Sequence, residues 1–315
     1  MSRRFLLPRL TRRRLLAAGA AAGLAPVLPV SARAPSLPFF VIGDWGRFGF
    51  DHQRDVAVAM AREAERLAPR FIVSAGDNFY DDGVFGLDDP HWRRSFEDIY
   101  RAPALGVPWY VTLGNHDYRG NVEAQLAYGK RDPRWMLPAR YYARTVTLPD
   151  GTAADFFFLD TSPFIRHYYG SRTRVDGQNP AAQRAWLDEA LGSSSAPWKI
   201  VIGHHPLYTA VAGHGHDQPD MIEAFEAVLQ RHRVPLYING HDHTMQWVVK
   251  DGITYLTSGA GSRTYDPPLP RRPGFASGSH GFLALALEPE LLRFDFISET
   301  GQVAFSGTVR RPSAA

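Results

Sequence analysis

Five apolar runs in this 315-residue chain each end in a glycine followed by side chains able to hold a metal ion. Phe39–Ile42 runs into Gly43-Asp44, Phe71–Ala75 into Gly76-Asp77-Asn78-Phe79-Tyr80, and Trp109–Leu113 into Gly114-Asn115-His116-Asp117. Ile200–Ile202 then precedes Gly203-His204-His205, and Leu236–Asn239 precedes Gly240-His241-Asp242-His243. Taken alone, a Gly-Asp pair is more often a turn than a ligand, and a Gly-His-x-His is as easily a pair of surface histidines. Independent turns give no reason for Asp, Asp, Asn, His and His-x-His to follow successive buried runs, so the five are read together. Carboxylate and phenolate oxygens suit a hard, highly charged ion, imidazole and amide oxygen suit a softer divalent one, and Asp77 can bridge the two sets. Two ions about 3.5–4 Å apart clamp the attacking and leaving oxygens of a displacement at phosphorus, and water bound to such an ion becomes a usable nucleophile. That chemistry is phosphate-ester hydrolysis. It needs no side-chain nucleophile, and a chain without cysteine has no thiol chemistry.

To act together these groups must be brought to one place by the elements that carry them. The runs are nearly continuous in Val, Ile, Phe, Leu and Tyr, as in strands buried on both faces, with further runs at Phe156–Leu159 and Ile253–Thr257. Apolar residues return every three or four positions over Arg54–Leu67, Ala181–Leu191 and Asp220–Arg231, which predicts helices between the strands. Alternating strand and helix predicts parallel strands, whose carboxyl ends line one crevice. A glycine before each ligand lets the backbone turn sharply there. Phe282–Leu287, Leu291–Ile297 and Val303–Val309 follow one another with no helix between them and predict an antiparallel meander. The fold class is therefore α/β, one domain over residues 35–315 with two packed sheets, helices outside, and surface loops at 81–91, 163–179 and 262–280.

At 44% hydrophobic and 21% charged residues, the composition is that of a globular chain and not of a disordered one. The formal charge is +3, yet residues 1–34 hold seven arginines and no acid, which leaves 28 basic against 32 acidic side chains, or −4, in the remainder. A net acidic body argues against nucleic acid as the main partner. Thr11-Arg12-Arg13-Arg14 leads into the apolar run Leu15–Val30, and Ala32-Arg33-Ala34 offers a small-x-small cleavage site. This segment resembles a bacterial twin-arginine signal peptide. Pro26 and Pro29 interrupt the run, which is short for a ~30 Å hydrocarbon core, so no stable membrane anchor is expected. The expectation is removal of residues 1–34 and delivery by the twin-arginine export machinery to the periplasm or the medium.

The five ligand blocks resemble those of the calcineurin-like metallophosphoesterases, and more narrowly the purple acid phosphatases of the mammalian, tartrate-resistant type. Tyr80 carries the narrower resemblance, because Gly76-Asp77-Asn78-Phe79-Tyr80 is similar to the block in which tyrosinate binds ferric iron. The likeness continues through Phe96–Tyr100, Val107–Val111, Gly120–Gln125 and Phe158–Thr161, and covers about residues 37–300. It implies a four-layer α/β/β/α sandwich of two mixed sheets. It further implies that Asp44, Tyr80 and His243 hold Fe(III), that Asn115, His204 and His241 hold Fe(II), Zn(II) or Mn(II), and that Asp77 is shared. The implied activity is that of an acid phosphatase on small phosphate monoesters with metal-bound hydroxide as nucleophile. A phosphodiesterase acting on nucleotides or phospholipid head groups is one alternative, and a non-catalytic scaffold of the same fold is another. His116 matches the family's outer histidine that contacts substrate or aids leaving-group protonation, and His214 matches the second such histidine, with His216 as its rival. His205 stands where mammalian members carry tyrosine, and His91 and His167 read as surface histidines. Segment 163–178 is shorter than the family's exposed regulatory loop.

Overall fold

In a computed structural model of the protein, the residues described are 35–211, 217–266 and 272–312. The signal-like segment 1–34, His214 and His216 lie outside them. In chain order the strands are β1 (Leu37–Ile42), β2 (Ile72–Ser74), β3 (Trp109–Val111), β4 (Trp135–Met136), β5 (Tyr142–Thr147), β6 (Ala153–Phe158), β7 (Trp198–Ile202), β8 (Leu236–Asn239), β9 (Met245–Lys250), β10 (Ile253–Ser258), β11 (Gly274–Ser277), β12 (Gly281–Leu287), β13 (Leu291–Ser298) and β14 (Val303–Arg310). The α-helices are α1 (Gln53–Leu67), α2 (Val122–Tyr128), α3 (Pro180–Ser193) and α4 (Pro219–Arg231). Among the described residues no helix is long and apolar enough to cross a membrane.

Two seven-stranded mixed sheets result, in the orders β14-β13-β12-β1-β2-β3-β4 and β11-β9-β10-β8-β7-β6-β5. Each has a parallel centre, β1 to β4 in one and β6, β7, β8 and β10 in the other. The antiparallel meander joins the first sheet by pairing β12 with β1.

Strand periodicity sorts the side chains into layers. Phe39 and Val41 of β1 pack with Phe156, Ile200, Ile238 and Leu285 in a core contributed by both sheets. Phe40 and Ile42, one residue out of phase, instead join the cluster that contains Val56 and Met60 of α1. Burying each such large side chain contributes about 1.5–3 kcal/mol relative to leaving it in water. Helix α3 is capped by Asn179, whose side chain accepts from Ala182 N at 3.0 Å, and Gln183 fastens it to the backbone of Asp160 beyond β6.

Three of the expected loops are more structured than surface loops. Segment 262–280 contributes β11, which pairs with β9 at the sheet edge. Segment 163–179 forms two 3-10 turns and buries Ile165, Tyr168 and Val175. Within 81–91, His91 is buried, so its reading as a surface histidine is corrected: its Nε2 lies 2.7 Å from the Tyr80 carbonyl and its Nδ1 2.7 Å from Ser95 Oγ. The described residues of these segments show no hydrophobic period, and their contacts are with other elements of the fold.

Candidate metal centre

The carboxyl ends of β1, β2 and β3 in one sheet and of β7 and β8 in the other converge, and the seven side chains singled out above meet there. The Tyr80 hydroxyl lies 2.8 Å from Asp44 Oδ1, 2.9 Å from Asp77 Oδ2 and 2.9 Å from His243 Nε2. Asp77 Oδ2 is also 3.4 Å from His204 Nε2, which in turn is 3.3 Å from His241 Nδ1. His241 Nδ1 is 3.2 Å from Asn115 Oδ1. Two groups of donors thus share Asp77. Their mutual spacing is that of oxygen and nitrogen atoms each about 2.0–2.2 Å from a common ion.

Local backbone geometry makes this convergence possible. Asp44, Asp77 and His241 all take left-handed backbone conformations, with φ of 61°, 48° and 71°. Such conformations cost a non-glycine residue about 1–3 kcal/mol and survive only where surrounding contacts hold them. Asp44 N donates to Gly76 O at 3.0 Å, His241 N to Asp44 Oδ2 at 2.9 Å, and His116 N to Asp77 Oδ1 at 2.7 Å. Beneath them the Asp117 carboxylate accepts from Gly114 N and Gln125 Nε2 at 2.8 Å, and from Asn78 N and Nδ2 at 3.1 Å. One buried carboxylate therefore joins the loop after β2 to the loop after β3. A Cβ on Gly114 would stand 2.2 Å from Asp77 Oδ1, and one on Gly240 2.5 Å from Asp44 Oδ2, so only glycine permits the approach.

The electrostatics of the bare protein are those of crowded donors. Burial, with Asp77 adding to it, pushes the Asp44 carboxyl well above the usual range. Burial acts on Asp77 in the same sense, but His204 and His116 outweigh it and hold this carboxyl well below the usual range. Burial, reinforced by Asp44 and Asp77, raises the Tyr80 phenol strongly. Burial drives the His241 imidazole well down and that of His243 down to about 4. His204 is the exception, raised to about 9 because Asp77 and Asp44 outweigh its burial. Hidden carboxyl, phenol and imidazole donors of this kind suit multivalent cations, whose charge inverts the local preference for the neutral forms. The His204 ring is oriented for it, since the contact of its Nδ1 with the Ala75 carbonyl at 2.9 Å leaves Nε2 facing the site.

Around the donors lies a second ring of side chains. His116 Nδ1 is 2.5 Å from the Asp81 carbonyl, and its Nε2 is 3.9 Å from Asp77 Oδ2. His205 is buried with both nitrogens engaged, Nδ1 at 2.8 Å from Thr161 Oγ1 and Nε2 at 3.0 Å from the Tyr168 hydroxyl. It therefore supports the site from behind His204 and His241. His167 is exposed, as expected. Sequence reading missed Arg47, whose guanidinium lies 3.7 Å above the Tyr80 ring, and Tyr265, whose hydroxyl accepts from His243 N at 3.0 Å. The only available signal for Arg47 was its place directly after Gly46 in the first ligand block; Tyr265 had none.

Residues 37–245 match the calcineurin-like phosphoesterase family. Purple acid phosphatase 7 of Arabidopsis thaliana is 38% identical over 89% of this chain and 88% of its own. Tartrate-resistant acid phosphatase type 5 of Mus musculus is 32% identical over 90% of this chain and 93% of its own. Among solved structures, GAP50, described as the anchor in the inner membrane complex of Plasmodium, superimposes with a TM-score of 0.78 at 27% identity, over 89% of this chain and 90% of its own. With a family match across most of the chain and identities sustained over nearly its full length, this protein belongs to the calcineurin-like phosphoesterases and, within them, to the purple acid phosphatases.

Proposed function

We propose that the protein is an acid phosphatase hydrolysing small phosphate monoesters at a binuclear Fe(III)–M(II) centre, with Asp44, Tyr80 and His243 on the ferric side, Asn115, His204 and His241 on the divalent side, and Asp77 between. The observation that carries this reading is the sharing of Asp77 by two donor groups of different chemical softness. When bound, such ions acidify water and neutralise charge at phosphorus. The chain's own residues supply the rest. Asp77 fixes the separation of the two halves, while His204 and His241 present imidazole nitrogens from adjacent parallel strands. His116, held through Nδ1 at the Asp81 carbonyl, presents Nε2 to the centre, where it can contact the phosphate or hand a proton to the departing alcohol. His214 is proposed as the second such histidine.

The test is the metal content and visible spectrum of the purified mature protein, with paired rate measurements on nitrophenyl phosphate mono- and diesters. Iron, a tyrosinate-to-iron charge-transfer band and a preference for the monoester are expected. Asp77→Ala should lose both ions and lower turnover by on the order of a thousandfold or more. An active but colourless, iron-free enzyme, or an Asp77→Ala variant with full metal and turnover, would overturn the assignment.

Residues 1–34 are proposed to direct export of the folded domain 35–315 through the twin-arginine machinery to the periplasm or medium, on the strength of the paired arginines before the apolar run. Replacing Arg12 and Arg13 together by lysine should leave the precursor in the cytoplasm; undiminished export would refute the route.

A further inference from the structure

A second set of metal-capable side chains lies outside the seven-residue centre. His52 precedes α1, His280 precedes β12, and Glu299 sits in the turn between β13 and β14, yet each brings one donor atom to within 4.8 Å of the others. His52 Nδ1 is 3.0 Å and His280 Nδ1 3.2 Å from the same atom, Glu299 Oε2. That oxygen is buried and accepts no hydrogen bond. Asp55 Oδ2 stands 3.3 Å from His52 Nδ1 on its other side.

The two rings constrain the chemistry of the cluster. They stack with centroids 3.9 Å apart and planes 14° from parallel. Burial lowers the His280 imidazole, which favours the neutral form that carries a free lone pair. His280 is held from behind, its Nε2 lying 3.1 Å from Thr264 Oγ1, with Nδ1 turned to Glu299. Imidazole of this kind, oriented by an outer hydroxyl and facing a carboxylate, is the usual arrangement of a metal-ligating histidine.

We propose that His52, His280 and Glu299 form a separate three-residue site for Zn(II), with the fourth position left to water. Two imidazoles and a carboxylate are a zinc donor set, and the contacts of 3.0 and 3.2 Å are a few tenths of an ångström shorter than the roughly 3.3–3.6 Å edges of a tetrahedron with bonds of about 2.0–2.2 Å, so a small opening admits the ion. Closing on the ion requires the His52 ring to rotate out of the stack, and its side chain, 49% exposed, has room to do so. The ion would tie the start of α1, the segment leading into β12 and the β13–β14 turn in a chain that has no disulfide. It would also brace Thr264, next to the Tyr265 that supports His243. Its effect is therefore on stability, and it stands whether or not the main centre holds iron.

The experiment titrates the full mature protein, its main-centre metal content and visible spectrum recorded beforehand, with zinc chloride at neutral pH, following bound zinc and Tm. One additional equivalent should bind at micromolar zinc, and Tm should rise by about 5 °C at a hundredfold excess over Kd. His280→Gln and Glu299→Gln should each weaken the added equivalent by at least about tenfold and abolish the rise in Tm, with main-centre metals and spectrum unchanged. Absence of an added equivalent at a hundred times that zinc concentration, its persistence in both variants, or loss of the main-centre ions along with it in both, would overturn the proposal.

Discussion

Arg47 illustrates what a single residue adds to the centre. Its side chain is only 12% exposed, its Nε donates to Ser262 Oγ at 3.1 Å, and its guanidinium covers the Tyr80 ring. A cation over an aromatic face is worth about 0.5–2 kcal/mol, more as the ring gains negative charge. If Tyr80 binds Fe(III) as proposed, Arg47 lowers the energy of the ring electrons and so raises the energy needed to move one to the metal. Arg47→Gln should then shift the charge-transfer band to longer wavelength by about 10–20 nm, with Arg47→Lys in between. An unmoved band would show that the guanidinium does not act on the phenolate. Its place after Gly46 does not by itself separate Arg47 from a solvated arginine, because its partner Ser262 is 215 positions away. The seven donors were legible because their side chains are metal-capable types recurring after strand-end glycines, whereas Arg47 follows such glycines without being a donor type.

The element that matters most is the strand end. Parallel pairing of β1, β2 and β3 puts the Asp44, Asp77 and Asn115 loops side by side, and the pairing of β7 with β8 does the same for His204 and His241. Gly114 is the point of this packing that bears most directly on Asp77, since an added Cβ would meet Asp77 N at 2.3 Å as well as its carboxylate. A backbone atom cannot move aside as a flexible side chain can. Gly114→Ala should therefore displace Asp77 and lower turnover by about a hundredfold while the circular dichroism of the fold persists. Gly86→Ala is the control, because a Cβ there meets nothing within 4 Å and its rate should stay at the wild-type value. Equal rates for the two variants would remove the close approach as an explanation. Buried strands and amphipathic helices were readable from their periods. Strands β4, β5, β9 and β11 were not, since β4 has two residues, β5 is largely exposed and β11 forms only as an added edge.

At the scale of the whole molecule, Asp160 links parts of the chain far apart in sequence. It follows β6, accepts from the Tyr118 hydroxyl beyond β3, and its backbone bonds Gln183 of α3. Its Oδ1 is buried without a partner, and burial pushes its carboxyl up to about 7. In the unfolded chain the same group titrates near ~3.9. Between these values the folded protein keeps a proton that the unfolded chain has released, so the stability Asp160 contributes is complete below the lower value and is lost as pH rises through the upper one. The loss is at most about 4 kcal/mol. Urea midpoints at pH 5 and pH 8 should show a smaller fall for Asp160→Asn than for the wild type, and parallel curves would contradict the assignment. By itself the sequence determined the fold class and the reaction class, and singled out the seven side chains that the structure brings together, because those depend on short-range features: strand and helix periods, glycine at a turn, and the hardness of a donor atom. Only the tertiary structure decided that His91 and His205 are buried supports, that Arg47 covers Tyr80, and that His52, His280 and Glu299 meet. Each of those depends on how loops and segments fold against one another, over separations from a few positions at His91 to more than two hundred between His52 and His280, and such contacts leave no local period to read.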